Sequence, residues 1–196
     1  MKNKFLIDVG GNKKVTTKLI EMNVADLSFY PDNPRVSSLL LNYSGKMDNN
    51  SLQKLMWEKQ GEATRDLYQA VKKAGIVNEP LIVYKNMTLE GNTRLCVLRE
   101  LMSDTKDQKW VKVNCRVIQD PLSEKEINYL LCQIHIASKK KDWEPFEQAC
   151  YFNKMAQEEE KSIKFIKDIT GFGESMIRLY CNLSRDEGSG SKARRI

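Results

Sequence analysis

Four consecutive residues, Gly91, Asn92, Thr93 and Arg94, have the types and spacing best suited to holding an anion. They lie in MTLEGNTRLCVLRELM (87–102), which reads as a short strand, an abrupt Gly-Asn corner and a helix. Backbone N–H groups in the first turn of a helix lack intrahelical partners, and the aligned peptide dipoles add partial positive charge there. A glycine lets the chain turn sharply and approach a ligand closely. Arg94 would supply a permanently charged, forked donor that matches phosphate. The chemistry this suggests is phosphate or nucleotide binding. An ordinary turn and helix cap would use the same residues. Leu95, Leu98, Leu101 and Met102 also recur at a spacing that buries one helix face with no ligand.

A second group stands near the end of the chain, in IKFIKDITGFGESMIRLYCNL (163–183). A helix-turn-helix needs an aliphatic residue in its first helix, a glycine at the turn and two inward anchors in its second helix. Ile166, Gly171, Ile177 and Tyr180 fit those places. That phase turns Ser175, Arg178, Leu179 and Asn182 outward, and Arg and Asn suit guanine and adenine edges in the major groove. Lys161, Lys164 and Lys167 on the preceding helix are placed for phosphates. Residues 161–196 hold eight Lys or Arg against four Asp or Glu, so most of the net charge of +6 sits in the last fifth of the chain. Against this, Lys167 stands where such units prefer a small residue, and Glu174 would face DNA. A plain helical hairpin closing the core is the competing account.

The elements that must position these groups follow from pattern. FLIDV and KKVTTKLIEMNVADL (residues 1–27) are β-branched and partly alternating, so they read as opening strands. FYPDNPRV is a loop, and residues 37–62 read as loop with some helix. RDLYQAVKKAG is a helix presenting Leu67, Val71 and Ala74, stopped by Gly75. IVNEPLIVYKNMTLEG reads as strand, Lys85-Asn86 turn and strand, and VKVNCRVIQD as a further strand. From residue 122 the pattern is helical. It opens with Ser123 and Glu126 as a capping box and an Ile127, Leu130, Leu131, Ile134 stripe, and Pro145 suits a first helical turn.

With 30% charged and 41% hydrophobic residues, 196 residues can build a globular core of one or two domains. The five cysteines are odd in number and widely spaced, which fits reduced, buried thiols and neither a disulfide framework nor a zinc site. The single histidine, His135, lies among apolar residues and gives a metal cluster or catalytic triad little to start from. No apolar run approaches the roughly 20 residues of a membrane span, and the N-terminus lacks a secretory signal. A cytoplasmic, nucleoid-associated location is expected.

From about Val24 to Arg185 the order of motifs resembles the ParB family, whose N-terminal domain has the ParB/sulfiredoxin fold. DNPR (Asp32 to Arg35) is similar to the family's early Asn-Pro-Arg segment. RDLYQAVKKAGIVNEPLIV resembles the helix-Gly-strand run before its nucleotide box. LEGNTRL resembles that box in the variant found in phage and mobile-element members. DWEPFEQA (Asp142 to Ala149) matches the Asp-x-x-Pro-x-Glu-x-Ala segment before the family's helix-turn-helix. The resemblance implies an α+β fold: a ParB/sulfiredoxin-like domain over 1–121, then an all-helical domain over 122–185. The helix-turn-helix falls at about 163–184, and 186–196 form a flexible basic tail.

The resemblance further implies a nucleoside triphosphate, CTP foremost and with Mg2+, at Glu90, Gly91, Asn92, Thr93, Arg94 and Lys140. It implies double-stranded DNA at Lys164, Lys167, Gly171, Ser175, Arg178 and Asn182. A homodimer is an expected state, and a membrane is not an expected partner.

Departures narrow these expectations. Gly91 and Arg94 match the box, whereas Asn92 and Thr93 replace its Glu and Arg. The second nucleotide motif falls at 136–140 with Ile136, Ala137 and Lys140, without the motif's carboxylate. Binding is expected and turnover is left open. The chain ends just after the helix-turn-helix, so a regulator from a phage, plasmid or integrated element is expected at least as much as a partition protein. The sulfiredoxin branch needs a thiol beside the corner glycine, where Asn92 stands, and Cys96 lies on the apolar side of the helix. A nuclease or phosphotransferase of the same fold would draw its acids from Glu90 and Asp32. An interaction module that does not bind DNA is the third alternative.

Overall fold

The computed structural model describes residues 4–10, 12–33, 36, 40, 47–59, 61–137, 145–157 and 162–190. The chain divides into two units, Met1–Ser123 and Glu124–Ile196. The first carries the sheet. β1 (Lys4–Asp8) and β2 (Lys14–Asn23) form an antiparallel hairpin, and a 3-10 turn (Val24–Asp26) leads to β3 (Ser28–Phe29). Helices α1 (Asn49–Lys59) and α2 (Gly61–Ala74) precede β4 (Leu81–Tyr84) and β5 (Met87–Glu90). Then come α3 (Asn92–Thr105), a 3-10 turn (Gln108–Trp110) and β6 (Lys112–Ile118).

The strand order is β1-β2-β6-β4-β5-β3. The last strand in sequence therefore lies in the middle, antiparallel to β2 from Thr17↔Ile118 to Asn23↔Lys112 and parallel to β4. Lys85 (φ 48°) and Asn86 (φ 62°) join β4 to β5 in two residues. A two-residue turn with both φ positive matches the twist of the strands it connects.

One core holds this unit together. Leu81 and Val83 of the sheet meet Leu95, Leu98 and Leu101 of α3, with Trp110, Val113 and Cys115 closing the cluster. Because α1 and α2 both pack on α3, that helix buries Cys96 and Val97 as well, more than a single stripe. In the stretch read as loop with some helix, α1 forms by burying Leu52, Leu55 and Met56 at helical spacing. The buried face of α2 differs from the expected one: Thr64, Tyr68 and Val71 are buried, Leu67 is half-buried and Ala74 is exposed. Tyr68 sets that face. Its ring meets Trp57 edge-on at 5.6 Å, and its hydroxyl donates to Asp104 at 2.8 Å.

The second unit is helical: α4 (Glu124–Cys132) running into a π-helical turn (Gln133–Ala137), then α5 (Pro145–Gln157), α6 (Ile163–Thr170) and α7 (Glu174–Gly190). The final turn of α7 covers residues 186–190 of the expected tail. The buried Tyr151 hydroxyl donates to Asn128 at 2.8 Å, and Phe152, Phe172 and Tyr180 pack as a three-ring cluster. Among the described residues no helix is long and apolar enough to cross a membrane.

Candidate functional site

Glu90 ends β5, and Gly91 turns the chain into α3 with φ 93° and ψ 23°. The left-handed region favours glycine, and here space demands it too. A Cβ at Gly91 would stand 2.5 Å from Leu81 Cδ2 and 3.3 Å from Nε and Nη2 of Arg94. Leu95 N–H donates to the Gly91 carbonyl at 2.9 Å as the first helical bond. The N–H groups of Asn92, Thr93 and Arg94 thus occupy the first turn, where no carbonyl of the same helix can reach them.

Asn92 fastens the corner from behind. It is only 4% exposed, and its Oδ1 accepts from Tyr30 N–H at 3.4 Å. Its buried Nδ2 has no hydrogen-bond partner. Asn33 repeats the device by donating from Nδ2 to the Leu89 carbonyl at 3.2 Å. Arg99 completes the frame: its guanidinium lies over the Phe29 ring at 4.8 Å and donates to the Leu27 carbonyl at 2.6 Å. The half-buried Thr93 belongs to the same first turn.

Arg94 does not point its fork outward. Nη2 pairs with the Glu90 carboxylate, Nη1 donates to the Glu79 carbonyl at 2.8 Å, and the Glu79 carboxylate lies 3.4 Å away. The Arg94 and Glu90 side chains are 13% and 17% exposed. Burial at this level makes the pair a brace between β5, α3 and the segment before β4, because removing either partner strands a partly buried charge. Phosphate bound to Arg94 would have to exchange with Glu90. Lys140 lies outside the described residues. Among the described residues, no group of three or more His, Cys, Asp or Glu is placed to hold a metal ion.

Sequence reasoning missed Tyr30, Asn33 and Glu79. Asn33 had a signal, an Asn held between Asp32 and Pro34 in a quoted motif. Glu79 had none, since only the folded chain brings it to Arg94. Cys96 is fully buried, and burial pushes its thiol up to about 12, far from a reactive thiolate. Asp32 sits half-buried at the turn before Asn33.

In the helical unit, Ser162 caps α6 by accepting from Phe165 N–H at 3.1 Å, and Gly171 (φ 74°) ends it with its N–H on the Lys167 carbonyl at 2.8 Å. Over residues 174–182 of α7, Ile177 and Cys181 are buried, and Ser175, Arg178 and Asn182 are exposed together with Met176 and Leu179. Tyr180 is half-buried in the aromatic cluster. Lys164 and Lys167 are exposed on α6, with Lys167 3.8 Å from the Glu174 carboxylate. Lys161 lies outside the described residues.

No family model matches the chain, and no curated protein matches its sequence. Solved structures do match. The C-terminally truncated chromosome-partitioning protein ParB from Caulobacter crescentus, complexed with CTP-gamma-S, is 14% identical. It aligns with a TM-score of 0.40 over 84% of this chain and 77% of its own. A Pnob8-like ParB-N domain, 12% identical, aligns with a TM-score of 0.50 over 86% of this chain and 69% of its own. At that identity the likeness to the ParB-N domain is one of fold, and the fold of this chain is ParB-N-like.

Proposed function

We propose that this chain is a ParB-like DNA-binding protein that also takes a nucleoside triphosphate at the Glu90–Arg94 corner, in partition or transcription regulation of a mobile element. The observation that carries the nucleotide half is Gly91. A left-handed glycine with no room for a side chain opens a 14-residue helix, and the helix presents its first-turn N–H groups beside an arginine. The phosphates would be held by the N–H groups of Asn92, Thr93 and Arg94 and by the Arg94 guanidinium. Bound nucleotide supplies negative charge there, and the ParB-like fold and the LEGNTRL motif support this use of the corner. CTP is the first candidate by motif resemblance, with Mg2+ as its accompanying ion.

The DNA half rests on α6 and α7. Exposed Ser175, Arg178 and Asn182 share one side of α7, and Lys164 and Lys167 stand on the helix before it. This is the arrangement in which a second helix reads base edges and a first helix touches phosphates.

Calorimetry with CTP, ATP and GTP, with and without duplex DNA, tests both halves. Arg94→Ala is expected to weaken nucleotide binding about tenfold or more, through loss of a charge-assisted contact, while leaving salt-dependent DNA binding intact. Arg178→Ala is expected to cost about 1–3 kcal/mol of sequence-specific DNA affinity and to leave nucleotide binding unchanged. No heat with any nucleotide, DNA present or absent, refutes the nucleotide half. DNA binding that is unmoved by Arg178→Ala refutes the assignment of α7 as the reading helix.

A further inference from the structure

We propose that β1 is a dimerisation strand that pairs antiparallel with β1 of a second copy of this chain, about a two-fold axis through Leu6. This inference is independent of the nucleotide and DNA sites. β1 is the outer strand of the sheet, and no described strand lies beyond it. Its middle is apolar and unusually open for an edge: Phe5 is 43% exposed and Leu6 66% exposed. Edge strands with apolar middles and no proline template pairing with another chain unless something blunts them.

The backbone decides which residues can bond outward. Thr16 of β2 turns both its polar groups away from β1: its N–H donates to Asp120 Oδ2 at 2.6 Å, and its carbonyl accepts from Gln119 N–H at 3.0 Å. Leu6 lies opposite Thr16 in the register, so Leu6 is a non-hydrogen-bonded position of the β1–β2 ladder. Its N–H and C=O therefore face the open edge, as do those of Lys4 and Asp8, two residues to either side. Phe5 and Ile7 face inward. Thr17 Oγ1 donating to the Phe5 carbonyl at 3.1 Å agrees with that phase.

The residues facing outward are self-complementary. In KFLID, a two-fold axis at Leu6 sets Leu6 against Leu6 of the second copy. Lys4 then falls opposite Asp8 and Phe5 opposite Ile7, each twice. Every facing pair is favourable: cation to anion at the ends, aromatic to β-branched inside, leucine to leucine on the axis. The Lys4, Leu6 and Asp8 pairs also exchange their outward N–H and C=O groups, so the two sheets become one. An unrelated extended peptide would have no reason to match both the charges and the phase, whereas a second copy matches both. The contact is isologous and closes on itself. A five-residue strand is small beside a standard interface, so the dimer depends on concentration.

Sedimentation equilibrium on the full chain, from micromolar to millimolar, is expected to show a monomer–dimer equilibrium that Leu6→Lys abolishes. Leu6 is largely exposed, so circular dichroism and the melting temperature should stay unchanged in that variant. Lys4→Glu and Asp8→Lys should each dimerise poorly alone and form a heterodimer when mixed, since mixing restores opposite charges at both ends. Hydrogen exchange on the unmodified chain gives a readout without mutation. The Leu6 amide should be protected at high concentration and exchange fast on dilution, while Phe5 and Ile7 stay slow throughout. A chain that is monomeric at millimolar concentration overturns the proposal. So does a dimer unaffected by Leu6→Lys, a mixture that fails to pair, or a Leu6 amide whose exchange ignores concentration.

Discussion

Gly91 and Gly171 both stand at helix ends in the left-handed region, yet they do different work. Gly171, at φ 74°, closes α6, and nothing within 4 Å would touch a side chain added to it. Gly91, at φ 93°, opens α3 with Leu81 2.5 Å from where a Cβ would stand. The first is a matter of backbone conformation alone. The second adds a wall, and the wall belongs to the core of the sheet. At Gly91 conformation and packing both exclude every other residue. A turn that needs conformation only is a cap. That contrast makes Gly91 a corner locked by packing and Gly171 a turn set by conformation alone.

The contrast can be broken by measurement. Gly91→Ala should cost about 2–5 kcal/mol of unfolding free energy in urea, from left-handed strain of about 1–2 and overpacking of about 1–3. Equal losses at Gly91 and Gly171 would erase the distinction. Next in size, Glu90→Gln removes the carboxylate that holds Arg94, and nucleotide affinity should rise about tenfold, or about 1.4 kcal/mol. A fall in affinity would make Glu90 part of the ligand shell rather than its competitor. The smallest effect is at the cap: Gly171→Ala should cost about 1 kcal/mol, the strain of one left-handed residue. A larger loss would mean that the α6–α7 turn packs more tightly than its open surroundings allow.

What the sequence made legible was local. The Gly91 corner, the Lys85-Asn86 turn and the mixed α/β class could be read because each depends on neighbours within a few residues. Tyr68 was not legible as the buried face of α2, because its partners Trp57 and Asp104 come from two other helices. The partners of Arg94 were not legible for the same reason. Its chemistry suits phosphate, but Glu79 lies fifteen positions upstream and reaches it only through the β4–β5–α3 fold. The two-residue β3 has no periodicity to detect. It exists because β5 pairs with it and Asn49 of α1 accepts the Phe29 N–H.

The sheet order has a kinetic consequence. β6 ends at Ile118 and is the last strand of its unit to be synthesised, yet it fills the gap between β2 and β4. A nascent chain that has emerged only as far as α3 holds a β1–β2 hairpin and a β4–β5 hairpin with no strand to join them. Each leaves open an edge that β6 is meant to cover, and open edges invite intermolecular pairing. The long-range pairings of β6 must wait for Ile118 to leave the ribosome, so the sheet of this unit cannot close before then. Aggregation during synthesis is therefore expected to peak in truncations that stop between residues 105 and 112 and to fall once β6 is complete.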